Sequence, residues 1–394
     1  MEFIRAASLP AESFFLFGPR GTGKSTWLRK SFPTAKTFNL LLTKEYLRLS
    51  RSPELFRAEV EALPRRSWVV IDEVQRLPSL LNEVHALLED HPGSYRFALT
   101  GSSARKLKRN EANLLAGRAI TRGFFPFTRK ELGAHFNLNR ALRYGCLPRV
   151  WSHPESPKGL PSEIQVQEYL ESFAETYLRE EIQQEALVRN LDSFSRFLEV
   201  AAIANGQILN ISNVSRDCHV ARQTVHGFYD VLEETLLGIR LPAWRPRLKV
   251  KEVEHPKFYF FDGGVARTLL GKIAEPPESA EEGVLLESFL LNELRAFDSY
   301  AGLKGKFSYW RTPSGSEIDL IWTKGSRSVG FEFKRTTRWR REDSASLLEV
   351  VQSGKLKRGF AVYLGKETLA LDKNVVALPI EAFLEKLAQG KVID

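Results

Sequence analysis

The segment Gly18-Pro19-Arg20-Gly21-Thr22-Gly23-Lys24-Ser25 constrains this chain more than any other. Every fixed position of GxxxxGK[ST] is filled, directly after the apolar run Phe14–Phe17 and before a helical stretch from Lys24 to Lys30. Strand, glycine loop and helix in that order make a phosphate cradle. The glycines let successive backbone N–H groups turn inward, and the helix N-terminus adds positive potential. Lys24 reaches the β- and γ-phosphates of a nucleoside triphosphate, and the Ser25 hydroxyl can ligate Mg²⁺. Gly18, Pro19, Arg20, Gly21, Thr22, Gly23, Lys24, Ser25 and Thr26 are therefore the expected ATP-binding residues.

Two further strand ends arrive where such a loop needs them. Trp68-Val-Val-Ile-Asp72-Glu73 is an apolar run ending in two acids, roughly fifty residues after the loop. Asp72 is expected beside the Mg²⁺ held by Ser25, with Glu73 polarising the attacking water. Arg96-Phe-Ala-Leu-Thr100-Gly-Ser102 ends in hydroxyls and resembles the inserted strand of ASCE-type ATPases. Thr100 or Ser102 would there contact the γ-phosphate or the water; either hydroxyl could equally cap a helix. With Thr37–Leu40 and Ile120–Phe125, these runs alternate with helical patterns and predict a parallel α/β sheet.

The remaining composition narrows the setting. Across 394 residues, 43% are hydrophobic and 27% charged, which excludes a disordered or low-complexity chain. A net charge of +9 favours a polyanionic partner such as DNA. The two cysteines, Cys146 and Cys218, provide no disulfide framework and no CxxC pair, so a cytoplasmic location is expected. No apolar run reaches bilayer length, and no membrane association is expected. Two seams, Ser152–Ser162 and Ala274–Glu282, read as linkers or exposed loops. They divide the chain into residues 1–157, 158–273 and 283–394.

Further motifs follow in a fixed order. They are Leu115-Ala-Gly-Arg118, Phe125-Pro-Phe-Thr-Arg-Lys-Glu131-Leu, Tyr144-Gly-Cys-Leu-Pro148 and Phe258-Tyr-Phe-Phe-Asp262-Gly-Gly-Val. This order resembles prokaryotic AAA-type ATPases related to the archaeal ATPase and STAND groups, with a C-terminal nuclease-like domain. The resemblance implies a RecA/AAA-like P-loop core with a helical lid that brings Pro148 to the nucleotide. Cys146 departs from the small residue common at that place. It also implies a homo-oligomeric ring, a hexamer among the candidate forms, in which a neighbour supplies an arginine finger. Arg118 is the first candidate and Arg179 the second. Either arginine could instead be a surface ion-pair residue.

In the middle segment, Phe194, Phe197, Leu198 and Ala201 form an apolar stripe. Ile211 to Asp217 reads as a short helix, followed by a turn through Cys218-His219. Ala221 to Leu232 reads as a second helix, with Val225, Phe228, Val231 and Leu232 on one face. Arg222, Gln223, His226 and Tyr229 lie on the other. Strands at Gly238–Leu241 and Lys257–Phe261 would complete a winged helix-turn-helix. Arg222 and Gln223 suit base edges. The run Trp244-Arg245-Pro-Arg247-Leu-Lys249-Val-Lys251 suits phosphates. The alternative is a module that only packs domains or subunits together.

The last segment opens with a helix near Leu285–Phe297. Ser316–Thr323 and Val329–Lys334 then read as a hairpin turned by Gly325-Ser326. That register sets Asp319 opposite Glu332 and Glu317 opposite Lys334, gathering all four on one face. Ile318, Leu320, Phe331 and Phe333 point to the other face. With Glu287 on the preceding helix, the pattern resembles the PD-(D/E)XK nuclease core in an α/β restriction-endonuclease-like domain. The resemblance implies that Glu287, Asp319 and Glu332 hold Mg²⁺ while Lys334 orients water or stabilises developing charge. Trp339 in Thr336–Arg341 would stack on a base. A solvated cross-strand ladder, or a fold that only binds DNA or protein, stays open. The leading expectation is a DNA-associated, ATP-hydrolysing AAA-type ATPase; the alternative is a STAND-like switch that cuts nothing.

Overall fold

The computed structural model describes residues 3–101, 115, 117–152, 159–177, 190–245 and 254–393. The chain divides into two compact units, one of residues 4–126 with 234–237, the other of residues 1–3, 127–233 and 238–394. Each is described by itself.

The first unit runs β1 (Phe14–Phe17), α1 (Lys24–Ser31), β2 (Lys36–Asn39), α2 (Thr43–Arg51), α3 (Glu54–Glu61), β3 (Ser67–Asp72), α4 (Leu80–Asp90), β4 (Tyr95–Gly101) and β5 (Ile120–Gly123). The strands form one parallel sheet in the order β2-β3-β4-β1-β5. Both faces are covered, which is why these strands read as unbroken apolar runs. Phe14, Leu16, Val70 and Ala98 pack with Leu28, Phe32 and Phe124 on one side. Phe15, Val69, Ile71, Phe97 and Leu99 pack with Phe56, Val84 and Leu87 on the other. Register sets Phe17 beside Gly101 and Ile71 beside Leu99, so β1, β3 and β4 finish at one edge. β5 stops at Gly123, two residues short of the expected strand, and Phe124 turns into the core.

The second unit begins with α5 (Arg129–Leu132), α6 (Leu138–Tyr144), α7 (Pro148–Trp151), α8 (Glu163–Ser172) and α9 (Leu191–Ile203). There follow β6 (Gln207–Ile208), α10 (Ile211–Cys218), α11 (Arg222–Glu234), β7 (Gly238–Leu241), β8 (Lys257–Phe260), α12 (Gly263–Leu269) and α13 (Ser279–Tyr300). The unit closes with β9 (Lys306–Arg311), β10 (Glu317–Lys324), β11 (Arg327–Lys334), α14 (Ala345–Gln352), β12 (Arg358–Tyr363), β13 (Leu369–Asp372), β14 (Val375–Pro379) and α15 (Ile380–Ala388). A small antiparallel sheet, β6-β8-β7, follows the two helices α10 and α11. A mixed six-stranded sheet has the order β13-β14-β12-β11-β10-β9.

From Lys324 opposite Arg327 to Leu320 opposite Phe331 the β10–β11 hairpin has the register its sequence predicts, while the expected pairs Asp319–Glu332 and Glu317–Lys334 lie beyond this ladder. Gly325 sits at φ +60°, which a two-residue turn of this kind requires. One side chain departs from the alternation. The β10–β9 register shifts between Ile318 and Ile321, so both pack with Trp310 and Leu347. Ile318 therefore parts company with Phe331, which stacks on Phe360 and meets Phe383 of α15.

Four other expectations need correction. Ser279–Glu282 is not linker but the first turn of α13, where Glu281 and Glu282 suit the positive end of the helix. Tyr229 is fully buried rather than on the polar face of α11, because Phe197 and Phe258 close over it edge-on. Trp244 packs against the Trp310–Ile318 core, and its N–H donates to the Tyr309 carbonyl at 2.6 Å, so it does not lead a free basic run. Trp339 is not a free aromatic in a basic run: it is half-buried, edge-on against Tyr363 beside Ala361 and Ala377. Arg179, Arg247, Lys249, Lys251 and Ser102 lie outside the described residues.

Candidate functional site

At the carboxyl edge of the parallel sheet, the loop after β1 wraps the start of α1. Gly21 and Gly23 have φ of +83° and +91°, where a side chain would be strained. A Cβ on Gly18 would overlap the Phe124 carbonyl. The Lys24 ammonium is buried and donates to the carbonyls of Gly18 at 2.7 Å and Pro19 at 3.1 Å. The Thr22 hydroxyl donates to Pro19 O at 2.8 Å, while Thr26 is exposed and Arg20 half-buried. Sequence reasoning missed Arg5. Its guanidinium donates to Thr22 O at 3.0 Å and Phe125 O at 2.6 Å and lies over the Phe124 ring. Nothing in its local sequence marks it, since it precedes the motif and acts on carbonyls.

Ser25 and Asp72 come together as expected, and Thr100 of β4 joins them on the same carboxylate. The Ser25 hydroxyl donates to Asp72 Oδ1 at 3.0 Å, and Thr100 Oγ1 donates to the same oxygen at 2.5 Å. Thr100 also accepts the N–H of Glu73 at 2.9 Å. Thr100 thus binds the acidic strand end rather than standing free. Glu73 has φ +61°, a left-handed conformation rare for a residue with a side chain and concentrated at functional sites. Buried Gln75 donates to the Glu73 carboxylate, fixing its direction. Arg118 is half-exposed and pairs with Glu89 at 2.5 Å.

In the second unit, Tyr144–Pro148 and Phe258–Val265 prove to be one latch. Gly145 has φ +77°, and a Cβ there would overlap the Asp262 carboxylate. Asp262 Oδ2 accepts the Cys146 N–H at 2.7 Å, while Oδ1 caps α12 through Gly264 and Val265. Pro148 occupies the first turn of α7. On α11, Arg222, Gln223 and His226 are exposed along one face, and Arg245 is exposed after β7.

A cavity of 820 Å³ gathers Glu287, Glu317, Asp319, Glu332 and Lys334. Asp319 Oδ2 accepts the Phe333 N–H at 2.7 Å. Lys334 lies 2.5 Å from Glu332 Oε1, while buried Glu332 Oε2 has no hydrogen-bond partner. Glu317 does not pair with Lys334; it meets Arg311 at 3.1 Å and Lys257 at 2.5 Å. Lys257 also lies 3.0 Å from Glu287, whose Oε1 receives the Tyr259 hydroxyl as well. Burial raises Glu287 to about 7; Lys257 opposes that shift and Asp319 adds to it. Burial likewise raises Asp319, and it drives Glu332 well above the carboxylate range with Asp319 beside it. Burial works against the Lys334 cation, but Asp319 and Glu332 outweigh it and its pKa rises. Lys257 escaped sequence reasoning because β8 lies thirty residues before Glu287 and sixty before Glu317.

The acidic donor set is hard oxygen, and the orphaned Glu332 oxygen suits a divalent cation. Among the described residues, however, no three of His, Cys, Asp or Glu are grouped closely enough to hold one. No described helix is long and apolar enough to cross a membrane.

Comparison with known families places an AAA domain over residues 11–133. Residues 135–275 and 282–383 match two domains of unknown function, DUF8612 and DUF4143. The uncharacterized protein Rv2008c of Mycobacterium tuberculosis is 26% identical over 387 residues, covering 97% of this chain and 83% of that protein. An uncharacterized protein of Haemophilus influenzae is 24% identical over 298 residues, covering 72% and 70%. Among solved structures, the Aeropyrum pernix ORC1 protein in complex with DNA gives a TM-score of 0.32 at 12% identity, covering 69% of this chain and 89% of that one. The first unit is thus an α/β AAA domain with a five-stranded parallel sheet and a nucleotide-binding P-loop.

Proposed function

We propose that this protein is an ATP-hydrolysing AAA-type ATPase that acts on DNA. The observation that carries the reading is the meeting of Ser25, Asp72 and Thr100 beside buried Lys24, at the edge where Glu73 holds a strained backbone. Oxygen donors on Ser25 and Asp72 fit Mg²⁺, which would neutralise charge on the β- and γ-phosphates when bound with ATP. The loop N–H groups and Lys24 would grip the phosphates, Lys24 exchanging its carbonyl partners for phosphate oxygens. Glu73, aimed by Gln75, would accept the proton of the attacking water. Thr100 would hold Asp72 and the Glu73 backbone in register. Arg118 would leave Glu89 to act as the finger toward a neighbouring copy in a homo-oligomeric ring.

The exposed face of α11 with Arg222, Gln223 and His226, and Arg245 with Arg247, Lys249 and Lys251, would meet DNA in a winged-helix mode. The C-terminal domain would be a PD-(D/E)XK-type nuclease in which Glu287, Asp319 and Glu332, not grouped as a ligand set in this structure, would draw together to hold Mg²⁺, and Lys334 would act on water or the developing charge. The test is ATP turnover with and without duplex, forked and single-stranded DNA. A severalfold rise with at least one form is expected. Turnover indifferent to every form would favour the STAND-like switch.

A further inference from the structure

The acid cavity already contains a cation, and it comes from another part of the unit. Lys257 sits on β8, in the small sheet with β6 and β7, whereas the acids sit on α13, β10 and β11. Its side chain is 5% exposed, with the ammonium 3.0 Å from Glu287 and 2.5 Å from Glu317. Tyr259, two residues along and so on the same face of the strand, donates to Glu287 too. The intervening Phe258 points the other way, against Tyr229. One strand face thus supplies both groups that hold Glu287. Across the cavity, Glu332 keeps a buried oxygen with no partner.

We infer that Lys257 is a cation lock on the acid site, and that a divalent metal on Glu287, Asp319 and Glu332 and the Lys257 ammonium, held by Glu287 and Glu317, exclude one another at Glu287. The inference rests on the proposed reading of Glu287, Asp319 and Glu332 as metal ligands. A divalent ion on Glu287 Oε1 at roughly 2.0–2.6 Å would lie within a few ångströms of the Lys257 ammonium in a buried cavity, where like charges repel strongly; Glu332, by contrast, takes Lys334 on Oε1 and keeps Oε2 for the metal. With Lys257 in place, the acids stay compensated and spread around it, in keeping with the lack of a grouped ligand set among the described residues. Metal entry expels the ammonium from Glu287. The lock links the strand that follows α10 and α11 to the acids of the mixed sheet.

The test is Mn²⁺ binding without nucleotide, followed by the paramagnetic resonance of free Mn²⁺, on the full chain and on Lys257→Gln. Glutamine removes the charge yet keeps a donor for the carboxylates. Lys257→Gln is expected to bind Mn²⁺ at least tenfold more tightly than wild type. Adding Asp319→Asn to Lys257→Gln should cancel that gain, while any binding at Ser25 and Asp72 stays common to all three proteins. Melting provides a second readout that tolerates a weakened fold. Lys257→Gln should melt below wild type in EDTA and recover with Mn²⁺, whereas wild type should gain little. Equal or weaker Mn²⁺ binding by Lys257→Gln, or a gain that survives Asp319→Asn, would overturn the lock. DNA cleavage is scored separately: tighter binding with no cleavage of any DNA form supports the lock and removes only the nuclease.

Discussion

Glu293 shows how a single buried group sets a pH dependence. It lies on α13, 5% exposed, and its Oε1 accepts the Arg129 N–H at 2.6 Å. Burial raises its pKa to about 8; the Arg129 N–H opposes the shift, and Glu131 and Glu381 reinforce it. An unfolded glutamate loses its proton near 4.3, so between that value and about 8 the native state binds more protons. Stability contributed by the protonated carboxyl is therefore present at low pH and falls as pH rises through this window. Glu293→Gln keeps the acceptor for Arg129 and cannot ionise. Chemical denaturation should find it more stable than wild type at pH 9 by at most roughly 5 kcal/mol, with the gap shrinking to about 1 kcal/mol near pH 5. An equal gap at both pH values would mean that Glu293 does not titrate as described. At this same scale, Lys24 and Ser25 were legible because a fixed spacing encodes them, and Asp72 and Glu73 because they end an apolar strand run. Arg5 and Lys257 were not, because each reaches its partners only through the folded chain.

Among the elements, alternation was the dependable signal. The β10–β11 register followed from period two and a Gly-X turn, and the parallel strands followed from apolar runs. What failed were judgements about which way an aromatic faces. Tyr229 looked polar by its neighbours, yet α11 is covered on more than its leucine face. Trp244 and Trp339 looked like nucleic-acid contacts in basic runs, yet each supplies apolar surface to a nearby core. The acidic start of α13 lacked apolar periodicity because a helix N-terminus favours charge over burial. α11 also provides a prediction. If its exposed face meets DNA, neutralising Arg222 and Arg245 together should weaken binding and flatten the dependence of log K on log salt by about 0.9 per lost phosphate contact. A filter-binding salt series showing an unchanged slope would assign that face to protein instead.

For the molecule as a whole, the sequence pointed to a parallel α/β sheet behind a P-loop, then helices with a strand pair, then a helix and an acid-bearing hairpin. The parallel sheet and the hairpin are present, the strand pair is joined by β6, and the hairpin lies inside a mixed six-stranded sheet. The sequence did not reveal that Tyr144–Pro148 and Asp262–Val265 interlock, or that β8 inserts a lysine among the acids. Both are contacts between segments more than twenty residues apart, and periodicity carries no information about them. The central claim concerns ATP hydrolysis, and Glu73 tests it most directly. The proposal gives it water activation rather than phosphate binding, in keeping with its left-handed backbone and its hydrogen bond from Gln75. The measurement is steady-state ATP turnover by wild type and Glu73→Gln, with ATP affinity measured on the same proteins. Wild type should turn over ATP, and Glu73→Gln should bind ATP as tightly while losing at least a hundredfold in rate, as expected for removing a general base. Equal turnover by the two, or none by wild type, would contradict the account.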